Sequence, residues 1–177
     1  MKVVISSGHG KYVRGASGYL DEVDESRLVV NRVAELLEAL DVDTTVFHDD
    51  ISTTQEENLE RIVDFHNSCT RDLDCSIHFN AFEETSKAMG TECWYVSQKD
   101  LAATVSAAIA EASGLPNRGA KQDGLNFLNN TEAPAILVEV VFVDSSADAV
   151  AYGDHFQAIC GALAEAIAGQ QQQPEVA

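Results

Sequence analysis

The sequence predicts a three-layer α/β domain, with a mostly parallel central sheet covered by helices on both faces. Three observations predict it. Strand-like segments alternate with segments of helical periodicity along the chain. The strand-like segments are apolar runs rather than in–out alternators, the pattern of strands covered on both sides. Finally, 177 residues, 45% of them hydrophobic and without an internal repeat, suit one domain with a substantial core.

The elements follow in order. Lys2–Ser6 is a short strand ending in Ser7-Gly8-His9-Gly10, where flanking glycines permit a tight turn or a close approach. Lys11–Tyr19 reads as a loop. Asp21–Leu40 is helical, with Leu28, Val29, Val33, Leu36, Leu37 and Leu40 as its apolar face and Glu22 at its mouth. Thr44–His48 is a strand, and Ser52-Thr53-Thr54-Gln55 starts a helix that carries Leu59, Ile62, Val63 and His66 to about Asn67. Leu73–Phe79 is a buried strand. On it Cys75, Ile77 and Phe79 share one face, and Asp74, Ser76, His78 and Asn80 share the other. Glu83–Ala88 is a polar loop and Thr91–Val96 a strand. Asp100–Ala112 is a helix broken by Gly114-Leu115-Pro116-Asn117. Gly124–Asn130 is expected to be a loop around a short strand, with Phe127 and Leu128 at its centre. Ala135–Val143 is a strand and Asp148–Ala168 the last amphipathic helix. The domain is therefore placed at residues 1–169, with a disordered low-complexity tail at 170–177.

Composition excludes several classes. A formal charge of −18 argues against nucleic acid, whose affinity rests on Lys and Arg neutralising phosphate, and against attraction to anionic membranes. No apolar run is long enough for membrane insertion. The glycines and histidine that follow Lys2–Ser6 at once do not read as a secretory signal, so synthesis in the cytoplasm is expected. Cys69, Cys75, Cys93 and Cys160 form no CxxC pair and read as reduced thiols.

The polar row on the Leu73–Phe79 strand needs a reason, because burying unpaired polar groups is costly. His9, Glu22 and His78 stand at the ends of predicted elements, where loops converge on sites. Two imidazoles and a carboxylate are a ligand set of catalytic zinc. The competing reading for each histidine is a satisfied polar residue after a strand. Glu139 is a single carboxylate inside the apolar run Ala135–Phe142. It reads either as a structural ion-pair partner or as the acid–base group beside a metal site.

Three blocks then carry a family resemblance: Ser7-Gly8-His9-Gly10, Ser76-Ile77-His78-Phe79-Asn80-Ala81 and Leu137-Val138-Glu139-Val140-Val141-Phe142-Val143-Asp144. Together and in this order they resemble the zinc-dependent N-acetylmuramoyl-L-alanine amidases of the amidase-3 type, phage endolysins foremost. The segment Asn117-Arg118-Gly119-Ala120-Lys121 is similar as well, and the likeness covers roughly Met1 to Gly169. The chain has Ser6-Ser7 where many members have Asp-Pro. The resemblance implies Zn2+ on His9, Glu22 and His78, Glu139 as the catalytic carboxylate, and peptidoglycan as substrate. It favours Glu22 by spacing, although Glu25, three residues on and on the same helical face, competes for the role.

Asn80 is a candidate for hydrogen-bonding substrate, and Arg118 and Lys121 for meeting a substrate carboxylate. His48, His66 and His155 fit a strand end or helix surfaces. The expected function is hydrolysis of the amide between N-acetylmuramic acid and L-alanine, by a phage lysin that reaches the wall after release. A zinc peptidase or deacetylase acting on another cell-wall amide, and a non-catalytic peptidoglycan-binding protein, are the alternatives.

Overall fold

The computed structural model describes residues 1–172. Strands and helices alternate as β1 (Lys2–Gly10), α1 (Glu22–Ala39), β2 (Asp43–Asp49), α2 (Gln55–Ser68), β3 (Leu73–Asn80), β4 (Thr91–Tyr95), α3 (Lys99–Ser113), β5 (Asn117–Gln122), α4 (Asn126–Asn130), β6 (Ala135–Phe142) and α5 (Ser146–Ala168). They build a six-stranded sheet in the order β2-β1-β3-β6-β4-β5. Strands β2, β1, β3 and β6 are mutually parallel, β4 runs antiparallel to β6, and β5 is parallel to β4. The mostly parallel three-layer sandwich expected from the sequence is the observed fold. No helix among the described residues is long and apolar enough to cross a membrane.

The layers follow from side-chain alternation. Cys75, Ile77 and Phe79 of β3, with Ile136, Val138 and Val140 of β6, point into the large core under α1, α3 and α5. Ala135 and Leu137 point the other way, into a smaller cluster with Ile62 of α2 and Phe127 and Leu128 of α4. The second layer is therefore thin, and over β4 and β5 it does not close the sheet as the first layer does.

Local chemistry sets the helix starts that matter. Asp21 caps α1 by accepting from the backbone N–H groups of Val23 and Asp24, which makes Glu22 the first helical residue. A carboxylate there faces the positive end of the helix dipole. Thr54 and Glu57 form a reciprocal capping box at α2. Gly114 ends α3 in the left-handed conformation, at φ 71°.

Several local expectations are corrected. β1 runs on to Gly10 rather than stopping at Ser6, with its register broken between Ser6 and Gly10. Leu28 of α1 and Leu40 at its C-terminal cap are exposed, and Val30 is buried instead. The break after α3 leads into a strand, β5, that the polar run Asn117–Gln122 did not announce. Phe127 and Leu128 lie on a short helix, not a strand, and pack inward from it. Gly169–Gln172 form a 3-10 turn that takes in the first residues of the expected 170–177 tail, and the rest of that tail lies outside the described residues. The four cysteines are free, with Cys69 half-buried and the other three buried.

Candidate metal centre

Chain topology creates the crevice. β1 leads through α1, on one face, to β2 at one edge. β2 leads through α2, on the other face, back to β3. The chain thus diverges between neighbouring strands β1 and β3, and their carboxyl ends flank the kind of switch point where open α/β sheets hold ligands. His9 lies at the end of β1 and His78 near the end of β3.

His9 adopts φ 61°, a left-handed conformation that costs a non-glycine residue on the order of 1–2 kcal/mol. The turn sets its ring edge-on to that of His78, with centroids 5.3 Å apart. Glu22 completes the group. His9 Nε2 is 3.3 Å from Glu22 Oε2, and His78 Nδ1 is 3.0 Å from Glu22 Oε1. One donor atom from each of the three residues lies within 4.8 Å of the others.

The Glu22 carboxylate is held from both sides. The backbone N–H of Ala16 donates to Oε2 at 2.7 Å and that of Phe79 to Oε1 at 3.1 Å. Arg14 ties the loop carrying Ala16 to the start of α1 by pairing with Asp21 and Asp24. Burial raises the Glu22 pKa, but hydrogen bonds to His78 and His9 and their charge outweigh it, so the group is held well below the usual carboxylate range. Glu25, the competing acid, turns away and accepts from Tyr152 Oη at 2.9 Å.

Two glycines shape the space. A Cβ on Gly8 would run into the His78 ring, and one on Gly15 into Glu22 Oε2 and the His9 ring. The cradle therefore brings two imidazoles and an ionised carboxylate together where any larger backbone residue would displace them. This donor set, two imidazoles and a carboxylate, fits a divalent ion such as zinc.

Glu139 lies beside this group, because β6 pairs with β3 so that His78 and Glu139 are register partners. Its Oε2 is buried without a hydrogen-bond partner. Burial first, then the charges of Glu22 and Glu92, push its pKa up to about 8. A structural ion pair, the competing reading of this residue, would have supplied that missing partner.

Glu92 was not singled out from the sequence. It is 3% exposed and is the register partner of Glu139 across the β4–β6 ladder. Its Oε1 accepts from Asn80 Nδ2 at 2.9 Å, and its Oε2 from Arg118 Nε at 2.7 Å. Asn80 and Arg118, named as substrate candidates, thus converge on one buried acid. Lys121 stands in register with Trp94 on the adjacent edge strand, half-buried. The signal for Glu92 was available: one carboxylate within Thr91-Glu92-Cys93-Trp94-Tyr95, the pattern that drew attention to Glu139. Gly15 carried no comparable signal inside its glycine-containing loop.

The lower half of the β3 polar row serves structure. His66, expected on a helix surface, is fully buried. Its Nδ1 bonds Asp74 Oδ1 at 2.8 Å and its Nε2 bonds Ser6 Oγ at 2.9 Å, while Arg71 clamps the same aspartate. The Ser–His–Asp order resembles a hydrolase triad, but all three side chains are sealed from solvent and substrate. His48 is held at a strand end between Ser7 and Asn31, and His155 is exposed on α5.

The three-layer α/β fold, with a His–His–Glu cluster and the half-buried Glu139 beside it, defines a domain with a candidate metal site. The family Amidase_3, N-acetylmuramoyl-L-alanine amidase, matches residues 3–169, and the chain belongs to that family. It is 35% identical over 175 residues to an uncharacterised 38.4 kDa protein of Clostridium perfringens, across 92% of this chain and 49% of that one. It is 28% identical over 147 residues to the probable cell wall amidase LytH of Staphylococcus saprophyticus, across 82% and 49%. The chain spans about half the length of the curated relatives it matches. Among solved structures, the N-acetylmuramoyl-L-alanine amidase AmiC2 of Nostoc punctiforme superposes with a TM-score of 0.84 at 26% identity, covering 98% of both chains. The catalytic domain of the CD27L endolysin targeting Clostridia Difficile shares the fold, with a TM-score of 0.83 at 23% identity over 96% of this chain and 97% of that one.

Proposed function

We propose that this domain hydrolyses the amide between N-acetylmuramic acid and L-alanine in peptidoglycan, with Zn2+ held by His9, Glu22 and His78. One observation carries the reading: three donor atoms within 4.8 Å of one another beside the half-buried Glu139, whose inner oxygen Oε2 has no hydrogen-bond partner. Bound there, zinc would supply Lewis-acid polarisation of the scissile carbonyl and acidification of the nucleophile toward neutrality.

The chain's own residues do the rest. Ala16 and Phe79 fix the Glu22 carboxylate, and Gly8 and Gly15 leave room for the two rings. Glu139 takes the proton from the attacking water and returns it to the departing amine of L-alanine. Its raised proton affinity suits both halves of that transfer. The test is Glu139→Ala on purified peptidoglycan: zinc stays near one per chain while release of new L-alanine amino termini collapses by about 10²–10⁴-fold. Undiminished release removes Glu139 from the reaction. Termini other than L-alanine would point to another cell-wall amide, and pelleting with the wall without cleavage to a binding protein. A lysin acting on the wall after release from the cytoplasm is the biological role we propose, on the resemblance of the sequence blocks to endolysins. Lysis of susceptible cells by protein added from outside tests it.

A further inference from the structure

A groove of about 350 Å³ opens on the thinly covered side of the sheet, lined by Asn80, Phe82, Glu92, Trp94, Arg118 and Phe142 among others. It adjoins the reacting centre, because Glu92 on its wall is the register partner of Glu139. A substrate whose amide lies at Glu139 has room to extend one of its two halves along this wall.

Arg118 gives the groove its chemistry. Its Nε donates to the buried Glu92, and its guanidinium carbon stacks 4.9 Å from the centroid of the Phe142 ring. Those two contacts fix the plane of the group. Among the described residues its two terminal nitrogens form no hydrogen bond, and the side chain is 37% exposed. A guanidinium held by Nε with both terminal N–H groups presented is a preorganised fork for a carboxylate. It is also a cation in a chain of formal charge −18, where most of the surface repels anions.

We infer that this groove takes the peptide half of the substrate and that Arg118 reads a free carboxylate on the residue after L-alanine, with Glu92 positioning the guanidinium. This rests on the amidase reading above. It makes Arg118 a specificity-determining residue and Glu92 a positioning one. A stem whose second residue is amidated would lose the forked contact.

The test uses two N-acetylmuramoyl-L-alanyl dipeptides that differ only in whether the second residue's free carboxyl is a carboxylate or a carboxamide. With zinc-supplied protein, the carboxylate form is expected to be favoured by about tenfold or more in kcat/KM, mainly through KM, the size of one charge-assisted hydrogen bond. Arg118→Met should erase the preference, bringing the ratio of kcat/KM for the two substrates on the same protein to near one. Because that variant leaves Glu92 buried without its cation, the double variant Glu92→Gln/Arg118→Met is measured beside it and should likewise show a ratio near one, whatever its absolute rate. Equal rates for the two substrates, or a preference that survives both variants, overturn the inference. Calorimetry with the two free L-alanyl dipeptides separates this from failure of the amidase reading. Selective binding of the carboxylate form without cleavage sinks only the reaction, and equal binding sinks the role of Arg118.

Discussion

Glu92 and Glu139 face each other across the antiparallel β4–β6 ladder, and only one of the two has partners. Glu92 accepts from Asn80 and Arg118, whereas Glu139 keeps a buried oxygen bare, and Thr91 Oγ1 donates instead to the Glu139 backbone carbonyl at 3.0 Å. Glu92 thereby has two hydrogen-bond donors, while burial leaves Glu139 able to hold a proton.

Glu139→Gln should therefore raise the stability of the metal-free protein at alkaline pH. The folded pKa lies near 8, above the ordinary value of 4.5. The folded state thus holds a proton that the unfolded chain has lost, and stability falls as pH rises through that window. Removing the group should recover on the order of 2–4 kcal/mol at pH 9 and almost nothing at pH 4. Urea denaturation at the two pH values measures it, and equal effects at both would contradict the assignment.

Loss of any one of His9, Glu22 or His78 should abolish tight zinc binding. For Glu22→Gln the secondary structure should persist without metal, although the single amide oxygen can accept from only one of Ala16 and Phe79, and bound zinc should fall well below one per chain by elemental analysis. For the wild type, zinc at about 1,000 times its dissociation constant should add about 4 kcal/mol to unfolding, and a chelator should remove that increment.

Gly15→Ala probes the cradle without touching a ligand. Its methyl group would collide with Glu22 Oε2 and the His9 ring. The expected outcome is a native far-UV circular dichroism spectrum with zinc occupancy and amide hydrolysis both lost. Gly8→Ala should do the same through His78. A variant that binds zinc normally would show that the loop has room to retreat.

His66→Ala tests the buried network apart from catalysis. It orphans Ser6, leaves Asp74 to Arg71 alone and opens a cavity against Phe127. A loss of about 2–4 kcal/mol is expected, with metal content per folded molecule unchanged. A loss of metal at full stability would mean that the network serves the site.

The α/β class, the order of most elements and the two histidines that meet at the candidate site were legible because each leaves a local mark. Apolar runs betray covered strands, a glycine-flanked histidine betrays a turn at a strand end, and a lone acid in an apolar run betrays a special use. β5 was missed because Asn117–Gln122 is a polar edge strand, stabilised by pairing with β4 rather than by its own hydrophobicity. α4 was misread because Phe127 and Leu128 pack inward from a single helical turn, too short to show a period. His66 looked like a surface residue because its partners, Ser6 and Asp74, lie on two different strands.

By itself the sequence determined which chemical groups exist and which segments pair strand with helix, since periodicity and isolated charges are properties of neighbours along the chain. Only the tertiary structure decided that Glu22 rather than Glu25 meets the histidines, that Gly15 makes room for them, and that Glu92 faces Glu139 with Arg118 at its back. Those relations join residues far apart in the chain. Helix rotation and sheet register set them, and neither is encoded in any local stretch.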